Sequence, residues 1–306
     1  MLTAENLEGV WALVPTPWNE NDCLDEDALA HDVAYLCRSG VDGLYTTASS
    51  GEFYAMEFEE FSRLVDIFLD VVDGSGCGHQ IGCGWSDTRG VLKRVAYAVQ
   101  RGAQAIQVIF PYYIQLTLDE AIRFMQDVAR VAGDVPLVHY NTGYSKLTLE
   151  AEEYRRLKEE VPTLIGTKLT RGEPIWLAGV CHAAANLSHF TGEYTFVADM
   201  NSGARGIYSW LGTTNPALAG RWYAAVRGGD FNEAMRIQRL VNRFKIEVKS
   251  TFHGKSDAAV NKADAMINSN IRCGLRVRGP YTPCTAADVD RARAWAGEHF
   301  PELLEV

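Results

Sequence analysis

The chain has 306 residues, 47% hydrophobic and 22% charged, with 29 basic against 39 acidic side chains and a formal net charge of −10. Such a chain can bury one large core or two smaller ones, and its acidic balance argues against nucleic acid as a partner, which calls for a basic patch. The seven cysteines are scattered without C-x-x-C spacing, against a zinc site or a disulfide framework.

The N-terminus, "MLTAENLEGVWALVPTPW", lacks a basic region followed by a continuous apolar stretch. No segment approaches the length of a membrane span. A cytoplasmic protein with reduced thiols, and with neither membrane nor metal as a partner, is the expectation.

In chain order, β-like runs fall at 10–15, 43–47, 80–84, 105–109, 136–140, 164–168, 189–191 and 206–209. Helix-like stretches alternate with them, clearest at 25–38, 57–72, 88–101, 118–132 and 149–160. In the first of these, Leu29, Val33 and Leu36 recur at helical spacing. "RSGVDG", "QRGAQA" and "DVPLV" place Gly or Pro breaks just before the next strand.

Repeated strand–helix units predict a (β/α)8 barrel, which takes ~200–250 residues. A doubly wound sheet would show a glycine-rich phosphate turn after its first strand, and "VPTPWNEND" has none. After "VRGGD" the strand pattern stops. Helical stretches at 231–249 and 255–268 and from a capped start at Thr285 predict a three-helix extension. The expected domains are a catalytic barrel at 1–228 and a helical extension at 229–306.

Function in such barrels gathers at the C-terminal strand ends. There the second strand offers "YTTASSGEF", the fourth "FPYY", the fifth "HYNTG" and the sixth "GTK". Lys168 ends an apolar strand, where an ammonium group is costly to bury. A partly desolvated amine loses preference for protonation, its pKa falling from ~10.4 toward neutrality. The neutral amine can attack a ketone and form a Schiff base that serves as an electron sink. Tyr140, one strand away, could move the protons this requires, and backbone N–H groups in "SSGE" could bind a carboxylate.

Each feature also has a plain structural reading. Lys168 could be a solvated strand-end residue, and Tyr112 and Tyr113 rim aromatics. Ser49 and Ser50 could satisfy a turn, and Glu52 could cap the following helix or act as a base. His139 and His189 read as hydrogen-bonded strand residues, "GARG" as a turn, and Trp18, Trp85, Trp176 and Trp210 as core more readily than as an aromatic pocket lining. Convergence at one barrel face favours the catalytic reading.

These motifs resemble the dihydrodipicolinate synthase / N-acetylneuraminate lyase superfamily of class I aldolases and dehydratases, over nearly the whole chain. The family's G-S/T-T-G-E loop is similar to Ala48–Ser49–Ser50–Gly51–Glu52. Its P-Y-Y matches Pro111–Tyr112–Tyr113, its Y-N Tyr140–Asn141, its G-x-K Gly166–Thr167–Lys168, and its G-A-x-G-x-x-S the run from Gly203 to Ser209.

The resemblance implies that Lys168 forms the Schiff base with a 2-oxo acid, usually pyruvate or a substrate that releases it. It implies Tyr140 as proton shuttle, Ser49 as relay with Tyr113 reaching in from a neighbouring subunit, and Ser50 with its backbone as carboxylate site. Gly51, Thr170 and Ser209 on the matched motifs are expected to bind substrate as well. A homo-oligomer built as a dimer of dimers and independence from any metal or organic cofactor are also implied.

Departures bear on the substrate. The arginine that follows Y-N in the lysine-pathway synthases is matched here by Ser145, and neither Arg171 nor Arg205 fits that motif. Lys168–Leu169–Thr170 is similar to the K-x-T of sialic acid lyases, yet their G-x-D-E clamp is absent, Gly192 being followed by Glu193–Tyr194–Thr195. Gly143 stands where many members have proline, and Ala48 replaces the usual loop glycine. The leading expectation is aldol or retro-aldol chemistry next to a pyruvate unit. Alternatives are dehydration of a 2-keto-3-deoxy sugar acid through the same imine, a dihydrodipicolinate-synthase-like condensation, and a non-catalytic 2-oxo acid sensor or inactive paralogue.

Overall fold

Eight short apolar runs, each closed by a Gly, Pro or polar break, become eight strands in a computed structural model that describes residues 2–305. They are β1 Gly9–Leu13, β2 Gly43–Thr46, β3 Gly78–Gly82, β4 Ile106–Val108, β5 Leu137–Asn141, β6 Leu164–Leu169, β7 Ser188–Thr191 and β8 Gly206–Ser209, and in that order they form a closed barrel. The recorded pairings are parallel, as right-handed βαβ crossovers require. The chain is a (β/α)8 barrel with C-terminal helices, as the strand–helix alternation predicts.

Helices follow the strands: α1 Glu26–Arg38, α2 Phe58–Val72, α3 Thr88–Gln100, α4 Leu118–Ala132, α5 Ala151–Glu160, α6 Pro174–Ala183, α7 Phe196–Asn201, α8 Leu211–Thr214 and α9 Pro216–Gly228. The C-terminal helices are α10 Phe231–Glu247, α11 Asp257–Ala265 and α12 Ala286–His299. Capping sets several starts. Asp25 accepts from Ala28 N, while Thr117/Glu120 and Thr285/Asp288 form reciprocal capping boxes, each satisfying N–H groups that a helix start would leave orphaned.

The chain forms two compact units by Cα proximity, one of Met1–Gly9 with Gly78–Tyr208, the other of Val10–Cys77 with Ser209–Val306. In the first, Gly166 of β6 is forced by close approach: a Cβ there would stand 2.7 Å from Leu7 Cδ2 and 2.9 Å from the Ser188 carbonyl oxygen. The first residue of the G-x-K motif is thus what lets β6 lie flat against its neighbour two residues before the lysine. In the second unit, Gly43 plays the same part under the Trp11 indole, 2.6 Å from where its Cβ would be.

Among the described residues no helix is long and apolar enough to cross a membrane, and no group of three or more His, Cys, Asp or Glu is arranged to hold a metal ion. All seven cysteines are free thiols.

Candidate active site

Lys168 is the penultimate residue of β6, in register with Tyr140 of β5. It is buried, 8% exposed, and Tyr140 is 5% exposed. The lysine nitrogen lies over two aromatic faces, 4.2 Å from the ring centroid of Tyr140 and 5.3 Å from that of Tyr208 on β8. The structure therefore answers the question of the strand-end lysine: it turns inward.

Tyr208 belongs to a polar layer inside this unit that the sequence reading missed. Its hydroxyl donates to Gln80 Oε1 at 2.7 Å, and Gln107 Nε2 approaches the same oxygen at 3.4 Å. Burial pushes the Tyr208 phenol well up, so it remains a neutral donor. The available signal was alternation: Gln80, Gln107 and Tyr208 are polar-tipped residues inside short strands, inward-facing where a barrel strand alternates.

The Y-N motif has a local explanation. Asn141 Nδ2 donates to the Leu149 carbonyl at 3.2 Å and Asn141 Oδ1 accepts from Leu149 N at 3.1 Å, which pins the loop after β5. Thr170, exposed on the same rim, donates its hydroxyl to the Asn141 carbonyl at 3.1 Å. Ser145, where an arginine would follow Y-N, is fully buried with Oγ 2.8 Å from the carbonyl oxygens of Thr142 and Leu147. It closes its own loop.

His139 and His189 are hydrogen-bonded strand residues, as expected. His139 Nδ1 lies 2.9 Å from the Tyr154 hydroxyl. His189 Nε2 lies 2.9 Å from the Ala184 carbonyl, an acceptor only, so Nε2 carries the hydrogen and Nδ1 accepts from Thr167 Oγ1 at 2.8 Å. Arg171 is paired to Glu150 and Glu173, and Arg205 to Glu8. Tyr113 is 79% exposed, and Lys146 Nζ donates to its carbonyl oxygen at 2.6 Å.

In the second unit, the loop after β2 forms a 3-10 turn over Ser49–Gly51, with both serines buried. Of the N–H groups in "SSGE", those of Gly51 and Glu52 close the turn onto the Ala48 and Ser49 carbonyls at 2.9 and 3.1 Å. Two non-glycine residues bracket it in the left-handed region, Thr47 at φ 53° and Glu52 at φ 57°. Such residues cost roughly 1–3 kcal/mol each and persist where surrounding structure over-determines them. Ser209, fully buried at the end of β8, accepts from Gly212 N at 2.9 Å and so starts α8.

Glu52 does not cap the following helix. Glu57 with Glu60 caps α2 instead. Glu52 is fully buried, and its carboxylate accepts from Lys262 Nζ at 2.6 Å, Trp18 Nε1 at 3.0 Å and Arg278 N at 2.8 Å. Lys262, from α11, is itself fully buried. Sequence gave no sign of this pair because its members are 210 residues apart. Trp18 and Trp210 are buried, as expected, and Trp85 is half-buried: Trp18 stacks under the Arg278 guanidinium at 3.8 Å, Trp85 under Arg94 at 3.7 Å, and Trp210 on Phe244. Trp176 lies 5.1 Å from the Arg171 guanidinium.

A closed parallel eight-stranded barrel whose inner wall carries a buried lysine in register with a buried tyrosine has the architecture and the amine of the class I aldolase type. Comparison with known proteins makes the assignment. The dihydrodipicolinate synthetase family profile matches residues 6–294. A 4-hydroxy-tetrahydrodipicolinate synthase of Methanothermobacter thermautotrophicus is 31% identical over 75% of this chain and 83% of its own. An N-acetylneuraminate lyase of Rhizobium meliloti is 30% identical over 78% of this chain and 79% of its own. Among solved structures, a catalytic lysine mutant of the Ruminococcus gnavus sialic acid aldolase shares the fold with a TM-score of 0.88 at 21% identity, covering 99% of this chain and 100% of that one. The chain belongs to the dihydrodipicolinate synthetase family, and it is a lyase of the carbon–carbon aldolase or synthase type.

Proposed function

We propose that this protein forms an imine between Lys168 Nζ and the C2 carbonyl of a 2-oxo acid and uses it to make or break the adjacent carbon–carbon bond. The observation that carries the reading is the inward lysine beside Tyr140, buried within one barrel wall. The neutral amine adds to the carbonyl and water leaves, giving a protonated imine. In the cleavage direction the C3–C4 electron pair moves into that imine, giving an enamine and an aldehyde as the C4 hydroxyl loses its proton. Protonation at C3 and hydrolysis then return lysine and the pyruvate unit. Tyr140 carries protons for carbinolamine and imine.

Ser49 and Ser50 complete the proposal as proton relay and carboxylate ligand, with Gly51, Thr170 and Ser209 in substrate binding. Ser49–Gly51 follows the C-terminal end of β2 and Lys168 lies near that of β6, the strand ends where barrel enzymes place their chemistry. The outward Tyr113 and its exposed neighbour Ile114 support a homo-oligomer in which Tyr113 serves an adjoining subunit; a dimer of dimers and a cytoplasmic location are part of the same proposal. Residues 229–306 act as a helical extension to the catalytic barrel at 1–228.

The test is deuterium exchange into the methyl group of pyruvate in heavy water, followed by proton NMR. Reversible enamine formation washes the methyl hydrogens out, and Lys168→Met abolishes the exchange. Exchange that persists in Lys168→Met contradicts the proposal. Counting products from 2-keto-3-deoxy sugar acids then fixes the bond broken: two organic products mean carbon–carbon cleavage, one means loss of water.

A further inference from the structure

The loop Ser49–Gly51 is held by the C-terminal helix α11 through two consecutive residues. Asn261 Nδ2 donates to Ser50 Oγ at 2.6 Å, and Lys262 Nζ holds Glu52 on the other side of the turn at 2.6 Å. Thr16 Oγ1 adds a third tie, donating to the Gly51 carbonyl at 2.8 Å. Trp18 Nε1 and Arg278 N complete the shell around Glu52.

The two ties of α11 act differently. The Glu52–Lys262 pair fixes a left-handed residue at the turn's exit, so it sets backbone shape. Asn261 acts on the hydroxyl. A serine hydroxyl has one hydrogen and two lone pairs. With an amide N–H directed at the oxygen, one lone pair is occupied, and Ser50 keeps its hydroxyl hydrogen and its second lone pair, of which only the hydrogen can meet an acceptor. A donor of fixed direction suits an acceptor-only ligand such as a carboxylate, and a hydrogen bond to a charged group is the stronger kind.

We propose that Asn261 is a positioning residue for the substrate carboxylate: by donating to Ser50 Oγ it orients the Ser50 hydroxyl as a donor to a 2-oxo acid's carboxylate. This rests on the imine reading and on the place given there to Ser50, and it adds a residue that the resemblance does not supply. It also gives the C-terminal extension a part in substrate binding, because α11 carries both Asn261 and Lys262.

The test uses the full-length protein and pyruvate, reading the concentration that half-saturates borohydride-trapped adduct at Lys168, with the limiting trapping rate and the melting temperature alongside. Asn261 is half-buried on a helix, where alanine is well tolerated. Asn261→Ala raises the half-saturating concentration roughly five- to tenfold, the worth of one hydrogen bond, at an unchanged limiting rate. Asn261→Asp raises it further, since a carboxylate can only accept and draws the Ser50 hydrogen onto itself. A purely structural role would lower the melting temperature and the limiting rate together and leave half-saturation where it was. Half-saturation equal to the parent's in both variants overturns the inference while the parent's adduct keeps the imine reading intact. A parent that yields no adduct with pyruvate or longer 2-oxo acids overturns both.

Discussion

Lys168 and Tyr140 are register partners across β6 and β5, and the lysine nitrogen rests 4.2 Å from the centre of the tyrosine ring. The phenolic hydroxyl lies in the plane of the ring whose face the amine meets. One backbone pairing thus fixes both the nucleophile and the group proposed to shuttle its protons.

Tyr140→Phe keeps the ring under the amine and removes only the hydroxyl. Turnover should fall on the order of a hundred- to ten-thousandfold, the range of a positioned acid–base group, with the melting temperature held. Steady-state kinetics and calorimetry on one preparation check this. Turnover close to the parent's would remove Tyr140 from the proton path.

The buried Glu52–Lys262 pair makes a sharper stability prediction. Removing one member leaves an uncompensated buried charge, which costs about 3–5 kcal/mol, whereas replacing both with neutral groups of similar volume is far milder. Lys262→Met should therefore be much less stable than the parent in urea, and Glu52→Gln combined with Lys262→Met should recover most of the loss. A double variant no more stable than Lys262→Met would show that the pair does not act as a unit.

How much of this was legible beforehand divides along contact range. Strands and the clearest helices could be read because a few neighbouring residues decide them: "VPLVHY" is apolar after a Pro break, and Thr117 with Glu120 announces α4. The helix α6, "PIWLAGVCHA", was missed because apolar residues surround it and no face stands out. By contrast α9 carried usable punctuation, Asn215 as cap, Pro216 at the first turn and Gly229 in the left-handed region beyond its end. The motifs located Lys168 and Tyr140, since strand-end position is a local property. The reading of Glu52 as a helix cap was wrong, and Asn261 and Lys262 were not singled out, because their partners lie more than two hundred residues away.

Acid should destabilise the fold through its buried histidines. Burial pushes His139 down to about 3 and His189 down to about 4, whereas an unfolded histidine titrates near ~6.5. Between those values the unfolded chain binds the additional protons, so the contribution is fully present above about 6.5 and is lost as pH falls toward 4 and then 3. Burial raises the carboxyls of Asp32 and Asp199. Their protonation on acidification relieves a cost, and so opposes the histidine effect above the usual carboxylate range. Melting temperatures taken between pH 7 and 5 should decline in the parent and decline less steeply in His189→Gln, which cannot take up a proton. An identical slope in the two would contradict this.

The most direct measurement is mass spectrometry of the protein incubated with pyruvate and reduced with borohydride. The account predicts one reduced adduct per chain, mapped by peptide analysis to Lys168 and absent from Lys168→Met. An adduct on another lysine, or none with pyruvate and longer 2-oxo acids, would contradict it.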